Sequence, residues 1–324
     1  MEALLTVRDL VVQAERPGAE PLRILDGVGF EVPAGQTLGV VGESGSGKTM
    51  TATAVLGLLP HGLSVTSGAI EFAGTDLVGL PEPRRRALRG SDIAMVFQDP
   101  LSALNPVQPV GRQVSEVARR REGLSRAAAG RLAVELLDRV GVPDPAQRAR
   151  AYPHQLSGGL RQRAVIAMAL AGRPRLILAD EPTTALDVSV QARILGLLAK
   201  IQAEDGVSVL LISHDLRVMA HATQHVAVMY AGRIVERGAT RDLLDAPRHP
   251  YTAALVRSVP AVHTRTAAVA PIPGNPPNLA ALPPGCRFHP RCPLAADRCR
   301  TEAPALREVA PGRLAACHFA EEAS

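Results

Sequence analysis

Tryptophan is absent from the 324 residues, and aromatic residues of every kind make up 2 %. A platform that stacks single-stranded nucleic acid needs exposed rings, so no nucleic-acid partner is expected. Packing has to rest on Leu, Val, Ile and Ala, and an apolar fraction of 46 % supplies enough for a sizeable core. Long apolar runs are missing too, since none approaches the roughly 18 residues that a spanning helix needs. The opening residues, Met1-Glu2-Ala3-Leu4-Leu5-Thr6, have no basic segment and no long apolar one, so no signal peptide is visible. The expected compartment is the cytoplasm. Cysteine is absent before position 286. A chain kept in the cytoplasm rarely uses disulfides, so the four late cysteines need another reading.

Formal net charge is +5. The densest basic runs are Arg84-Arg85-Arg86 and Arg119-Arg120-Arg121. Such runs can face lipid headgroups or nucleic acid. In a chain this rich in arginine, solvated surface is the favoured reading.

What is present is a full phosphate-binding pattern, Gly42-Glu43-Ser44-Gly45-Ser46-Gly47-Lys48-Thr49. It follows an apolar stretch, Thr37 to Val41, that reads as a buried strand, and precedes small and apolar residues, Met50 to Leu59, that read as a helix. Strand, glycine-rich loop and helix are the context in which this pattern cradles phosphates. Gly42, Gly45 and Gly47 can take backbone angles closed to other residues. The N–H groups of the loop, Ser44 and Ser46 included, can then point at phosphate oxygens with the helix N-terminus behind them. Lys48 would reach the β- and γ-phosphates, and the Thr49 hydroxyl would ligate Mg²⁺.

Along the chain, Leu4–Val12 and Leu25–Val32 read as strands around a turn. A turn-rich strip from His61 to Gly68 precedes a strand at Ala69–Phe72. Ile93–Phe97 is a buried strand that delivers Gln98. From Val110 to about Ala149 the pattern is helical, with Leu132, Leu136, Leu137 and Val140 at three- and four-residue spacing. Ser157 suits the N-cap of a helix from Leu160 to Ala171. Leu176–Ala179 is a strand ending in Asp180-Glu181, and Val188–Glu204 reads as helix. Ser208–Ile212 is a strand ending in Ser213-His214-Asp215. Leu216–His221 reads as helix, and His225–Met229 and Arg233–Glu236 as strands. Alternating strands and helices argue for an α/β core with a parallel sheet. Six prolines between Pro271 and Pro284 read as a linker or extended wrap.

Phosphoryl transfer needs the triphosphate held, its charge neutralised and a water aligned. Asp180, at the end of an apolar strand, can hold the Mg²⁺ shell. Glu181 beside it is the candidate general base. Gln98 can contact the metal or orient water, and His214 can bond the γ-phosphate or the lytic water. Acid pairs at strand ends and lone histidines are each common in structural roles. Their order after a complete phosphate loop is what singles them out.

Leu156-Ser157-Gly158-Gly159 brings a resemblance. With the phosphate loop, it makes the chain similar to the ATP-binding subunits of ABC transporters, where this signature segment is characteristic. The resemblance implies a P-loop NTPase core of α/β class with an antiparallel β subdomain, an inserted helical subdomain and a Cys-containing C-terminal extension. It also implies that Ser157, Gly158 and Gly159 meet ATP held by an opposing subunit, with Asp187 in the D-loop Thr184-Ala185-Leu186-Asp187. Residues 1–260 would be the nucleotide-binding domain, with the helical part at about 101–160, and 261–324 the Pro-rich linker and extension.

Phe97-Gln98-Asp99-Pro100-Leu101-Ser102-Ala103-Leu104-Asn105-Pro106, Tyr152–Gly159, Asp180–Val188, Ala246–Thr252 and above all the cysteine-bearing tail narrow the resemblance to the dipeptide/oligopeptide (and nickel) importers. The implied function is ATP hydrolysis that energises peptide import. The implied partners are a second ATPase subunit, paralogous by the resemblance, two membrane permeases and an extracytoplasmic peptide-binding protein. The location would be the cytoplasmic face of the inner membrane, as a peripheral subunit. The alternative is a soluble ABC ATPase acting on ribosomes or DNA. The chain departs from the family in having no aromatic near Ala14 to stack on adenine, which leaves aliphatic surface, Arg16 or Arg23 to support the base.

Cys286, Cys292, Cys299 and Cys317 are spaced C-x5-C-x6-C-x17-C. Structural zinc sites usually show closer pairs, while iron–sulfur clusters take four thiolates at wider spacing. The resemblance tips the expectation to a [4Fe–4S] cluster, because some relatives with this tail hold one. Zinc is the alternative, and reduced thiols or disulfides remain.

Overall fold

The computed structural model describes residues 2–184, 186–258 and 272–322. Ala185 of the expected D-loop and residues 261–271 of the expected linker lie outside the described residues. The strands are β1 (Ala3–Ala14), β2 (Leu22–Pro33), β3 (Thr37–Val41), β4 (Leu63–Phe72), β5 (Thr75–Asp76), β6 (Ile93–Val96), β7 (Leu176–Asp180), β8 (Ser208–Ser213), β9 (His225–Tyr230), β10 (Arg233–Ala239), β11 (Arg307–Ala310) and β12 (Arg313–Ala315). The chain divides into two compact units. One holds Met1–Pro33, Thr37–Gly79 and Ile212–Ser324, and the other holds Ala34–Gln36 and Leu80–Leu211.

In the first unit, β2, β1, β4 and β5 form an antiparallel sheet in that order. β1 buries Leu4, Leu5, Val7, Leu10 and Val12, with its register broken between Val7 and Leu10. Asp9, in that break, has a φ of 45°. Gly68 lies across from it, where a Cβ would come within 2.5 Å of the Asp9 carbonyl oxygen. The bulge therefore demands glycine at this position. The sequence reads His61–Gly68 as a turn, but β4 starts at Leu63 and pairs Val65 with Val12 of β1. An available edge on β1 overrides the turn-forming composition, because a strand's pairing outweighs its intrinsic propensity.

The same unit carries a mixed arrangement in the order β11-β12-β10-β9-β3. β3 runs parallel to β9, with Leu38 opposite His225. The Cys-containing extension beyond the prolines is built into this unit, since its β11–β12 hairpin joins β10 with Ala315 opposite Glu236. Glu236 is fully buried. It accepts from Arg313 at 3.0 Å and from the backbone N–H groups of Arg248 and His249 at 2.8 and 2.9 Å. A buried carboxylate needs such a set of donors, and this one ties the hairpin to the body of the unit.

The second unit has the order β8-β7-β6, with β6 parallel to β7; β8 passes out of this unit after Leu211. The expected helical region divides into Val110–Glu122, Arg126–Arg139 and a single turn at Pro145–Arg148. Gly123, with a φ of 64°, ends the first, and Ser125 caps the second by accepting from Ala128 N–H. Ala129, Ala133, Leu136 and Leu137 are its buried stripe. The helix Gly158–Leu170 begins as expected at Ser157, whose hydroxyl accepts from Leu160 N–H.

Candidate functional site

The residues expected to handle ATP fall in both units, and each set has its own geometry. In the first unit the loop Gly42–Thr49 joins β3 to the helix Lys48–Leu56. Gly45 and Gly47 hold φ values of 77° and 106°, which suits glycine. Gly42 is required for a different reason. A Cβ there would lie 2.1 Å from the carbonyl oxygen of Met229. The Lys48 side chain is buried at 4 % exposure, and its ammonium donates to the carbonyls of Gly42 and Glu43 at 2.7 and 2.9 Å.

The Ser46 hydroxyl is buried without a hydrogen-bond partner among the described residues. The helix N-cap is Gly47, which brings no side-chain acceptor, and no acidic residue stands in the first turn. An uncapped helix end presents N–H donors and positive potential. With a buried ammonium and an orphaned hydroxyl beside it, this cradle fits a polyphosphate. Ser44, Gly45 and Thr49 are exposed at its rim.

Glu43 is fixed from outside the loop. Its N–H donates to the Tyr251 hydroxyl at 2.8 Å, and Arg291 holds its carboxylate with two bonds of 2.7 and 3.0 Å. Burial pushes the Tyr251 phenol up, so it stays protonated. Tyr251 packs on Tyr230 and Phe288, with ring centroids 4.5 and 5.4 Å away. Sequence reasoning gave no role to Tyr251 or Arg291. The available signal was scarcity, because three of the chain's eight aromatic side chains (Tyr 3, Phe 5) gather behind this loop. His214 is exposed in the bend after β8, where Asp215 N–H caps back on the Ser213 hydroxyl. Of the two arginines considered for adenine, Arg23 donates to Asp26 at 3.1 Å.

In the second unit, Asp180 ends β7 at 3 % exposure. Glu181 follows with a φ of 45°, a strained angle for a residue with a long side chain. Its carboxylate accepts from the Thr184 hydroxyl at 2.9 Å and from the Gln98 amide at 3.3 Å. Gln98 and Glu181 are therefore brought together, 83 residues apart in sequence. Ser157 is exposed at the start of its helix. A Cβ on Gly158 would meet Leu186 at 3.5 Å, and one on Gly159 would meet Val190 at 2.9 Å, so the signature segment packs against the D-loop side. Asp187 caps the helix Val188–Asp205 by accepting from Val190 N–H at 2.9 Å. Hydrogen bonds from Ser189 and then Val190 hold its carboxyl below the usual range.

The metal centre expected at the four cysteines is corrected by the structure. Cys286, Cys292, Cys299 and Cys317 line one small cavity of about 10 Å³ with Phe288, Leu294 and Phe319. No disulfide joins them. Among the described residues, however, no group of three or more His, Cys, Asp or Glu side chains is arranged to hold a metal ion. Burial raises the thiols of Cys286, Cys292 and Cys317, the last to about 11. Protonated thiols behave as small apolar groups, and here Cys299 is buried and the other three are half-buried along the same cavity. The [4Fe–4S] assignment is overturned, and zinc gains no ligand set either.

Residues 25–184 match the ABC transporter family, and residues 235–299 match the oligopeptide/dipeptide transporter C-terminal region. The dipeptide transport ATP-binding protein DppD of Escherichia coli (strain K12) is 45 % identical over 317 residues, 98 % of this chain and 97 % of that protein. The oligopeptide transport ATP-binding protein OppD of the same organism is 46 % identical over 316 residues, 98 % and 93 % of the two chains. Among solved structures, a dimeric ATP-binding cassette in a post-hydrolysis state with ADP and Pi matches with a TM-score of 0.66 and 28 % identity, over 73 % of this chain and 99 % of that one. Likeness of this extent, reaching from the phosphate loop into the extension, means that the chain belongs to the ATP-binding proteins of ABC transporters, in the dipeptide and oligopeptide group.

Proposed function

We propose that this chain is the ATP-hydrolysing subunit that energises import of di- and oligopeptides across the cytoplasmic membrane. The observation that carries this reading is near-full-length similarity to dipeptide and oligopeptide transport ATP-binding proteins, extension included. It does not favour an ATPase acting on ribosomes or DNA. Lys48 and the loop amides of Gly42, Ser44, Gly45, Ser46 and Gly47 would hold the β- and γ-phosphates. Thr49, Asp180 and Gln98 would hold Mg²⁺, which neutralises charge on the phosphates. Glu181 would take the proton of the attacking water, with Thr184 and Gln98 holding its carboxylate. His214 would bond the γ-phosphate or the lytic water.

Ser157, Gly158, Gly159 and Asp187 would serve ATP bound by a partner ATPase, a paralogue in our reading. Two permeases and an extracytoplasmic peptide-binding protein would complete the transporter. We read the chain as a peripheral subunit on the cytoplasmic face because its relatives are transport ATP-binding proteins; no helix among the described residues is long and apolar enough to cross a membrane. Residues 1–260 would form the nucleotide-binding domain, with about 101–160 as its helical part, and 261–324 the linker and extension. The test is reconstitution in vesicles with the permeases, partner ATPase and binding protein. ATP turnover should rise when peptide is added outside. Failure to associate with two polytopic membrane proteins, or turnover indifferent to peptide, would refute the reading.

A further inference from the structure

We infer that Arg291, in the C-terminal extension, is a positioning residue of the nucleotide site and acts through Glu43. The inference rests on the reading of Gly42–Thr49 as the ATP-binding loop. Arg291 is itself set firmly. Its Nε donates to the Pro273 carbonyl at 2.8 Å, its Nη1 also reaches the Tyr230 hydroxyl at 3.4 Å, and its guanidinium lies 5.9 Å from the ring centroids of both Tyr230 and Phe288. The side chain is 5 % exposed. A planar guanidinium fixed in this way presents its fork to Glu43 in one orientation.

What Glu43 does with that grip is the point. Its N–H is held by Tyr251, and its carbonyl accepts from Ser46 N–H at 3.2 Å and from the Lys48 ammonium at 2.9 Å. The contacts run from guanidinium to carboxylate, across one residue, to the ammonium that would meet phosphate. The loop also contains two glycines at positive φ, which without an anchor give it many conformations. When only a fraction of molecules holds the binding-competent loop, apparent affinity falls by that fraction. Arg291 and Tyr251 raise the fraction by fixing the residue on which Lys48 and Ser46 hang.

The experiment measures binding of a fluorescent ATP analogue with Mg²⁺ to the full chain, with thermal unfolding recorded for every variant. Arg291→Ala should weaken binding about tenfold, as for a loop competent about a tenth of the time. Arg291→Lys keeps the charge without the fork and should recover part of the loss. Glu43→Gln should weaken binding in the wild type and add almost nothing in the Arg291→Ala background, because residues acting through one contact are not additive. A general structural role for Arg291 would give additive losses. Arg298→Ala removes an exposed arginine that pairs with Glu302 in the same extension and should bind as the wild type does.

Wild-type affinity in Arg291→Ala, or additive effects of the two substitutions, overturns the inference. If Arg291→Ala does not fold, Arg291→Lys and Glu43→Gln carry the same comparison. Lys48→Ala separates the two readings. Loss of binding there with retention in Arg291→Ala overturns the positioning role alone. Retention in Lys48→Ala overturns the site reading and the inference with it.

Discussion

Lowering the pH should destabilise the first unit through one buried histidine, and the size of the effect follows from its surroundings. His249 is 2 % exposed. Its Nδ1 accepts from Tyr251 N–H at 3.0 Å, which requires an unprotonated nitrogen. Burial lowers its pKa from the ordinary 6.5 to about 3. Between those values the unfolded chain binds a proton that the folded chain refuses. Stability is therefore full above pH 6.5 and is lost as the pH falls toward 3. Each pH unit inside the window is worth up to about 1.4 kcal/mol. Going from pH 7.5 to 4.5 should cost about 3 kcal/mol, a large part of the 5–15 kcal/mol typical of a folded domain. His249→Asn supplies an amide oxygen that can cap the same N–H and does not titrate. Urea unfolding of the full chain, followed by far-ultraviolet circular dichroism at several pH values, should show the variant losing about 3 kcal/mol less than the wild type over that range. Parallel stability curves for the two proteins would refute the argument.

Three further outcomes follow from the site. Glu181→Gln should retain ATP binding while hydrolysis by the assembled transporter falls by about 10²–10⁴-fold, the usual cost of a lost base; turnover above about a tenth of wild type removes Glu181 from that role. The isolated chain should hydrolyse ATP poorly and gain activity on assembly, since Ser157 and Gly158 are read as serving a partner's nucleotide; full turnover from a sample shown to be monomeric by sedimentation would contradict it. Gly42→Ala places a methyl group against the Met229 carbonyl, and overpacking of this kind should weaken ATP-analogue binding about tenfold or more. Unchanged affinity in equilibrium titration would show that the loop relaxes around it.

Much of the local structure that carries the expected nucleotide residues was legible because its signal is local. Eight consecutive residues describe the phosphate loop, and the apolar runs before Gln98, Asp180 and His214 announce strands that end at Val96, Asp180 and Ser213, at or within two residues of them. Features set by distant partners were not legible. The first half of β4 is polar and turn-like, and only its pairing with β1 makes it a strand. The positive φ of Glu181 leaves no mark in composition. The grip of Arg291 on Glu43 spans 248 residues, beyond any spacing rule. The cysteines misled for a related reason. Their spacing reports four thiols but not the apolar rings of Phe288 and Phe319 around them, nor the hairpin that Glu236 and Arg313 anchor. With those partners unseen, a metal looked necessary to hold the segment together.

The separation of 248 residues between Glu43 and Arg291 is also an interval of time. At about 5–20 residues per second, a ribosome needs roughly 12–50 s to add that length of chain. During it the phosphate loop has been made, but the side chain that grips it has not. If Arg291 grips the loop as inferred, a nascent chain carries the motif before it carries the finished cradle, and nucleotide would bind it more weakly than it binds the released chain. On the same inference, products broken off upstream of Arg291 would keep Lys48 and Thr49 yet bind ATP more weakly than intact subunits.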